Sequence, residues 1–188
     1  MSLHDLTIWL ALAFGLSELA LSLAKRSSTA AVRADRGSLH VLWIVITAAW
    51  VLAFFLSDAV ALGRFHLSGA LDAGALLLFA AGVALRWWAI ASLGRLFTVD
   101  VAIAADHRLI DRGPYRLIRH PSYAGALLAF LGLGLTLGSL PALAALLLPC
   151  VAAYHYRITV EEAALQRGLG NAYFDYMRQT WRLVPRLY

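Results

Sequence analysis

The chain has 188 residues, of which 61% are hydrophobic and 14% charged, with a net charge of +5. Soluble domains carry about 25% charged residues, so this composition excludes an ordinary soluble domain. It predicts an all-α integral membrane protein. The one cysteine, Cys150, excludes an internal disulfide and a cysteine-based zinc site. Within an apolar run it reads as a small buried hydrophobe.

Taken in order, the first apolar segment runs over Leu6–Ala24. It has no positive flank before it, and Lys25-Arg26 follow it. That pattern is a stop-transfer signature and not a signal peptide. Ser27–Gly37 is a polar linker. The second segment covers His40–Val60 and the third Ala70–Ala91. Two ions lie inside these spans, Glu18 in the first and Arg86 in the third. They are expected to pair with each other or to snorkel, with polarity of an acceptor tunnel as the sharper alternative. The fourth segment is Pro121–Leu137 and the fifth Leu140–Ile158. Each segment is near the ~20 residues that cross a bilayer as a helix, although the fourth is short. None alternates with the period of a barrel strand.

Gly138-Ser139-Leu140-Pro141 predicts a tight helical hairpin between segments four and five. Pro149 predicts a kink in the fifth, since it removes a backbone donor. Gly125, Gly132, Gly134 and Gly138 allow close helix approach; Gly125 also reads as a place where a ligand meets the backbone. After the fifth segment, Tyr173, Tyr176 and Trp181 fall in an amphipathic tail, which reads as an interfacial aromatic belt, with cofactor contact as the alternative. There is no internal repeat and no second domain.

Charge predicts the topology. All but two of the 16 Lys and Arg residues follow segments one, three and five. The exceptions are Arg64 and Arg86. Basic residues favour the cytoplasmic side, so five crossings are expected, with the N-terminus outside and the C-terminus in the cytoplasm. The basicity then reflects topology and contact with membrane lipids, and not a nucleic-acid partner. His4, His40 and His66 are dispersed and make no metal-ligand set.

Two polar clusters stand against these apolar runs. The first is Gly113-Pro-Tyr-Arg-Leu-Ile-Arg-His-Pro-Ser-Tyr-Ala-Gly125, at the start of segment four. The second is Arg157-Ile-Thr-Val-Glu161-Glu162, at the end of segment five. A hairpin brings both to one face of the membrane, and converging polar groups at that depth mark a functional site. Plainer readings exist for single residues. Arg157 and Glu161 are four apart and fit a simple ion pair. Arg119 fits a headgroup anchor or a helix cap. Pro121 suits a first helical turn.

Asp106-His-Arg-Leu-Ile-Asp-Arg-Gly-Pro-Tyr115, Arg119-His-Pro-Ser-Tyr-Ala-Gly125, Glu161-Glu-Ala-Ala-Leu165 and Tyr173-Phe-Asp-Tyr176 together resemble the isoprenylcysteine carboxyl methyltransferase family. That family falls in a wider group of membrane methyltransferases that includes phospholipid N-methyltransferases. The resemblance covers roughly Phe97 to Arg182. It divides a single membrane domain into three N-terminal helices, residues 1–92, and a methyltransferase half, residues 93–188. It implies S-adenosylmethionine held by His107, Arg108, Leu109, Ile110, Tyr115, His120, Pro121, Ser122, Tyr123, Gly125 and Glu161. Arg157 is implied to face the methyl acceptor, with His120 beside it in catalysis. No metal is implied. The five spans and the short tail resemble the prokaryotic branch, which implies the inner or plasma membrane of a prokaryote.

The chemistry agrees with this residue set. Methyl transfer from a sulfonium needs donor carbon and acceptor held in line at ~3–3.5 Å, with water excluded. A carboxylate, hydrogen-bond donors and aromatic faces suit a sulfonium-bearing nucleoside. The acceptor is expected to be lipophilic or lipid-linked. A carboxylate acceptor would be oriented by Arg157 through a bidentate pair. A phenolic or pyrone lipid would need His120 or Glu162 to take its proton. An amine headgroup is a further alternative. A transport protein is disfavoured, because the polar cluster lies at one edge without repeat symmetry. A reductase-like relative that shares the C-terminal fold and uses a nicotinamide cofactor is a further alternative, which no Gly-x-Gly-x-x-Gly in this sequence supports.

Overall fold

A computed structural model describes residues 3–25, 37–99 and 109–188. Its order is α1 (Leu3–Ala24), α2 (Ser38–Ala59), α3 (Gly69–Leu93), α4 (Pro121–Thr136), α5 (Leu140–Leu169) and α6 (Asn171–Gln179). Short 3-10 turns occupy Gly94–Leu96 and Gly113–Arg116. Among the described residues there is no strand; the extended contacts are isolated bridges, one of them between Ile118 and Trp181.

Four helices are long and apolar enough to cross a membrane: Asp5–Ala24, Ser38–Ala59, Gly69–Leu96 and Leu140–Leu169. The fifth apolar helix, α4, has only 16 residues, a rise of about 24 Å, short of the ~30 Å hydrocarbon layer. The chain is thus an all-helical, multi-pass membrane protein. Its surface follows from that solvent. Trp9, Leu16, Ile44, Phe55, Leu77 and Leu148 all point outward, which lipid tolerates and water would not.

The interior is built from small residues. Lipid supplies no hydrophobic force between helices, so close backbone approach must hold them together. α3 lies along α4, and α2 along α5. At the first contact a Cβ on Gly82 would sit 2.4 Å from Ala129 N, and one on Gly132 2.4 Å from Phe79 N. A Cβ on Gly125 would lie 2.6 Å from Arg86 N. Gly125 is therefore consumed by the α3–α4 contact.

The hairpin forms as expected. Gly138 takes φ +62°, and the Ser139 hydroxyl accepts from Ala142 N at 3.3 Å to cap α5. α5 then continues as one helix through Pro149 to Leu169. α1 is attached to α3 and α4 at three levels. Thr7 and Thr136 hydroxyls meet at 2.6 Å. Phe14 packs edge-on against Phe79 and Phe130. Glu18 takes a bidentate ion pair from Arg86.

Candidate functional site: a polar cluster at the mouth of an apolar groove

The start of α4 is the centre of the site. Pro121 fills the first helical turn, where a missing N–H costs nothing. The stretch before it, Leu117 to His120, is held from outside. Arg119 N donates to Trp181 O at 2.7 Å, His120 N to Arg182 O at 3.0 Å, and Trp181 N to Leu117 O at 3.1 Å. The tail after α6 thus folds back as a short parallel bridge and sets the approach to α4.

α5 brings two adjacent glutamates to this point. Successive helical residues diverge by about 100°, so the two carboxylates meet different partners. Glu161 Oε2 accepts from the Tyr123 hydroxyl at 2.6 Å and lies 3.9 Å from His120 Nδ1. The Tyr123 and His120 rings stack at 5.5 Å, nearly parallel at 4°. The Glu161 side chain remains 30% exposed, against 3% for Glu162. Glu162 is the buried node. It accepts from Arg119 Nε at 2.9 Å and Arg182 Nη2 at 2.8 Å, and its Oε1 lies 3.3 Å from His120 Nε2. Its hydrogen bond raises the Arg182 pKa above the usual guanidinium value. Arg119 also donates to the carbonyls of Met177 and Thr180. It caps the C-terminal end of α6, the second of its two plain readings, and is not a headgroup anchor.

Tyr115 is buried, and its carbonyl accepts from the Tyr176 hydroxyl at 2.7 Å. Burial, then the nearby Glu161 charge, holds the Tyr115 phenol above the ordinary range. Tyr173 and Tyr176 both face inward from α6. They do not form the interfacial belt expected of them, because α6 lays its aromatic face against the protein. Leu109 and Ile110 are half-buried on the approach to the 113–116 turn. His107 and Arg108 lie outside the described residues.

Beside this cluster runs a groove of about 850 Å³. One side is the apolar face of α1 from Ile8 to Leu21, and another is α2 from Leu39 to Asp58. Its polar end is formed by Glu18, Arg86, Ser122, Tyr123 and Arg157. Arg86 Nη1 donates to the Ser122 hydroxyl at 2.8 Å and to its carbonyl at 3.2 Å. Arg157 is buried and donates to Ser38 Oγ at 2.5 Å and Val99 O at 2.6 Å. Tyr123 thus belongs to both the groove and the glutamate cluster.

Of the residues expected at the site, Tyr115, His120, Pro121, Ser122, Tyr123, Arg157 and Glu161 are gathered around the start of α4 and the end of α5. Sequence reasoning missed Arg182 and the tail segment that carries it. Its alternation of basic and aromatic residues reads equally well as membrane contact. No group of His, Cys, Asp or Glu arranged to hold a metal occurs among the described residues.

The fold and site define a class: a polytopic helical membrane protein with a polar cluster at the mouth of an apolar groove. A family model described as the isoprenylcysteine carboxyl methyltransferase (ICMT) family matches residues 75–167. Through that region the chain is similar to the isoprenylcysteine carboxyl methyltransferase family. A probable protein-S-isoprenylcysteine O-methyltransferase of Oryza sativa is 31% identical over 112 residues, 58% of this chain and 59% of that one. The Schizosaccharomyces pombe protein-S-isoprenylcysteine O-methyltransferase is 33% identical over 55% of this chain and 45% of its own. The cobalt-zinc-cadmium resistance protein CzcN of Cupriavidus metallidurans is 34% identical over 52% of this chain and 45% of its own. The chain therefore spans less than two thirds of these relatives. The solved structure of the eukaryotic intramembrane Ras methyltransferase ICMT superposes with a TM-score of 0.59 at 27% identity. That match covers 77% of this chain and 52% of the other.

Proposed function

We propose that the protein transfers a methyl group from S-adenosylmethionine to a lipophilic or lipid-linked acceptor. The observation that carries this reading is the shared wall: Tyr123 and Arg157 line the groove, while Tyr123 also binds Glu161 of the polar cluster. A site built this way offers one ligand water-side polarity and the other an apolar bed.

The donor set fits the cofactor. A nucleoside sulfonium with an amino-acid end asks for a carboxylate, hydroxyl donors and ring faces. Glu161 supplies the carboxylate, on the exposed edge of the cluster. Tyr123, His120 and Tyr115 supply the rings and the polar atoms. Leu109 and Ile110, with His107 and Arg108, complete the set on the reading of the motif. When bound, S-adenosylmethionine supplies a methyl carbon activated by its sulfonium. The protein's share of the chemistry is orientation and exclusion of water, which supply most of what an in-line displacement needs.

On the acceptor side, α2 borders the groove over 20 residues, Leu39 to Asp58, about 30 Å of helix. An apolar tail lies along it with the reactive head at Arg157 and Tyr123. A carboxylate acceptor is already a nucleophile and needs only the Arg157 guanidinium to orient it. The relatives' names favour a prenylcysteine carboxylate. If the acceptor is a phenol, its proton goes to His120 Nδ1, which faces Glu161 at 3.9 Å. Glu162 is not available for that step, since its oxygens are committed to Arg119, His120 and Arg182. The proposed topology has five crossings, with α4 as the short one and the C-terminal cluster in the cytoplasm.

Calorimetric titration of S-adenosylhomocysteine into the protein in detergent tests the reading. Saturable binding that is lost in Glu161→Ala and His120→Ala is expected, with both variants still folded. A folded wild-type protein that binds no S-adenosylhomocysteine would refute it.

A further inference from the structure

Among the described residues, one buried side-chain polar atom lacks a hydrogen-bond partner, the hydroxyl of Tyr173. The residue is 2% exposed. An orphaned donor of this kind is rare in folded chains and costs about 1–3 kcal/mol of desolvation. Tyr173 is also held protonated. Burial, then the Glu162 and Glu161 carboxylates, pushes its phenol above the ordinary range. It therefore remains a hydrogen-bond donor, in need of an acceptor, at every working pH.

Its surroundings say what kind of acceptor is missing. Neighbouring α6 Tyr176, with its ring 5.9 Å away, has its own hydroxyl paired to Tyr115 O. The two adjacent carboxylates are already engaged, Glu162 by Arg119, His120 and Arg182 and Glu161 by Tyr123. The chain thus leaves one donor unmatched beside its donor-site carboxylate, while every comparable group nearby is satisfied. Of the two carboxylates Glu161 is the more exposed, at 30% of its side chain.

We propose that Tyr173 is a further contact residue of the methyl-donor site, donating its O–H to an oxygen of the bound nucleoside. This rests on the methyl-donor reading above. The acceptor oxygen belongs either to the ribose or to the amino-acid carboxylate. The ligand reaches the hydroxyl past Glu161 as the wall between α5 and α6 adjusts, because the ligand-free packing seals it from water.

Tyr173→Phe, with Tyr176→Phe as the contrast, separates this role from a structural one. Two readouts are taken in detergent: the ligand-free melting temperature, and the calorimetric Kd for S-adenosylhomocysteine and for 5′-methylthioadenosine. In Tyr173→Phe the melting temperature stays at the wild-type value or rises, since no bond is lost. Its Kd for S-adenosylhomocysteine weakens by about three- to ten-fold, the range of one net hydrogen bond. Weakening with both ligands assigns the partner to the ribose; weakening with S-adenosylhomocysteine alone assigns it to the carboxylate. Tyr176→Phe lowers the melting temperature, because it strands the Tyr115 carbonyl. Two results overturn the inference: an unchanged Kd in Tyr173→Phe, or a melting temperature that falls as in Tyr176→Phe. A wild-type protein that binds neither ligand overturns the methyl-donor reading itself, which is a separate failure.

Discussion

Glu161 and Glu162 are neighbours in sequence, and the structure assigns them opposite sensitivities. In Glu162→Ala, Arg119 and His120 lose their carboxylate while their side chains stay 8% and 3% exposed. Removing one member of a buried charged pair costs about 3–5 kcal/mol. Arg182 adds little, since its side chain is 30% exposed and turns to water. For a chain of this size each kcal/mol moves the melting temperature by roughly 2–4 °C. Glu162→Ala is therefore expected to melt roughly 6–20 °C below wild type. Glu161→Ala loses one hydrogen bond at a part-exposed carboxylate, worth about 1 kcal/mol, and should melt within roughly 4 °C. Thermal unfolding in detergent, followed by far-ultraviolet circular dichroism, reads both. Reversal of the order, or a Glu162→Ala variant as stable as wild type, would refute the assignment of Glu162 as the structural node.

Other changes probe the rest of the frame. Glu18→Leu alone strands Arg86 and should cost about 3–5 kcal/mol, whereas Glu18→Leu with Arg86→Met should return to near wild-type stability; equal losses in single and double variants would argue against the pair. Gly82→Leu forces side-chain atoms into the Ala129 backbone, 2.4 Å from the Cβ position. It should destabilise by at least about 1–3 kcal/mol, while Gly74→Leu, with nothing within 4 Å, should not. Arg157→Ala is expected to raise the acceptor Michaelis constant and leave the Kd for S-adenosylhomocysteine unchanged; the opposite split would move Arg157 to the donor side.

The sequence by itself determined the class and the place of the chemistry. Apolar runs of membrane length admit only helices in lipid, because every backbone polar group must be satisfied within the segment. The Arg119–Gly125 and Arg157–Glu162 motifs sit at the ends of two such runs joined by Gly138-Ser139-Leu140-Pro141, so their convergence could be read before any coordinates. The pairing of Glu18 with Arg86 was legible too, since two lone ions within apolar spans have few other partners. Tertiary structure decided which neighbour each polar group takes. The 3.6-residue period sends Glu161 to Tyr123 and Glu162 to Arg119, and no local pattern distinguishes them. The Gly125 contact with α3 depends on which helix lies opposite, as does the inward face of Tyr173 and Tyr176. The fold-back of Trp181 and Arg182 onto Leu117–His120 is a pairing across some 60 residues. Such choices are made by packing between distant segments, where the energy of a contact depends on a partner that the local sequence does not specify.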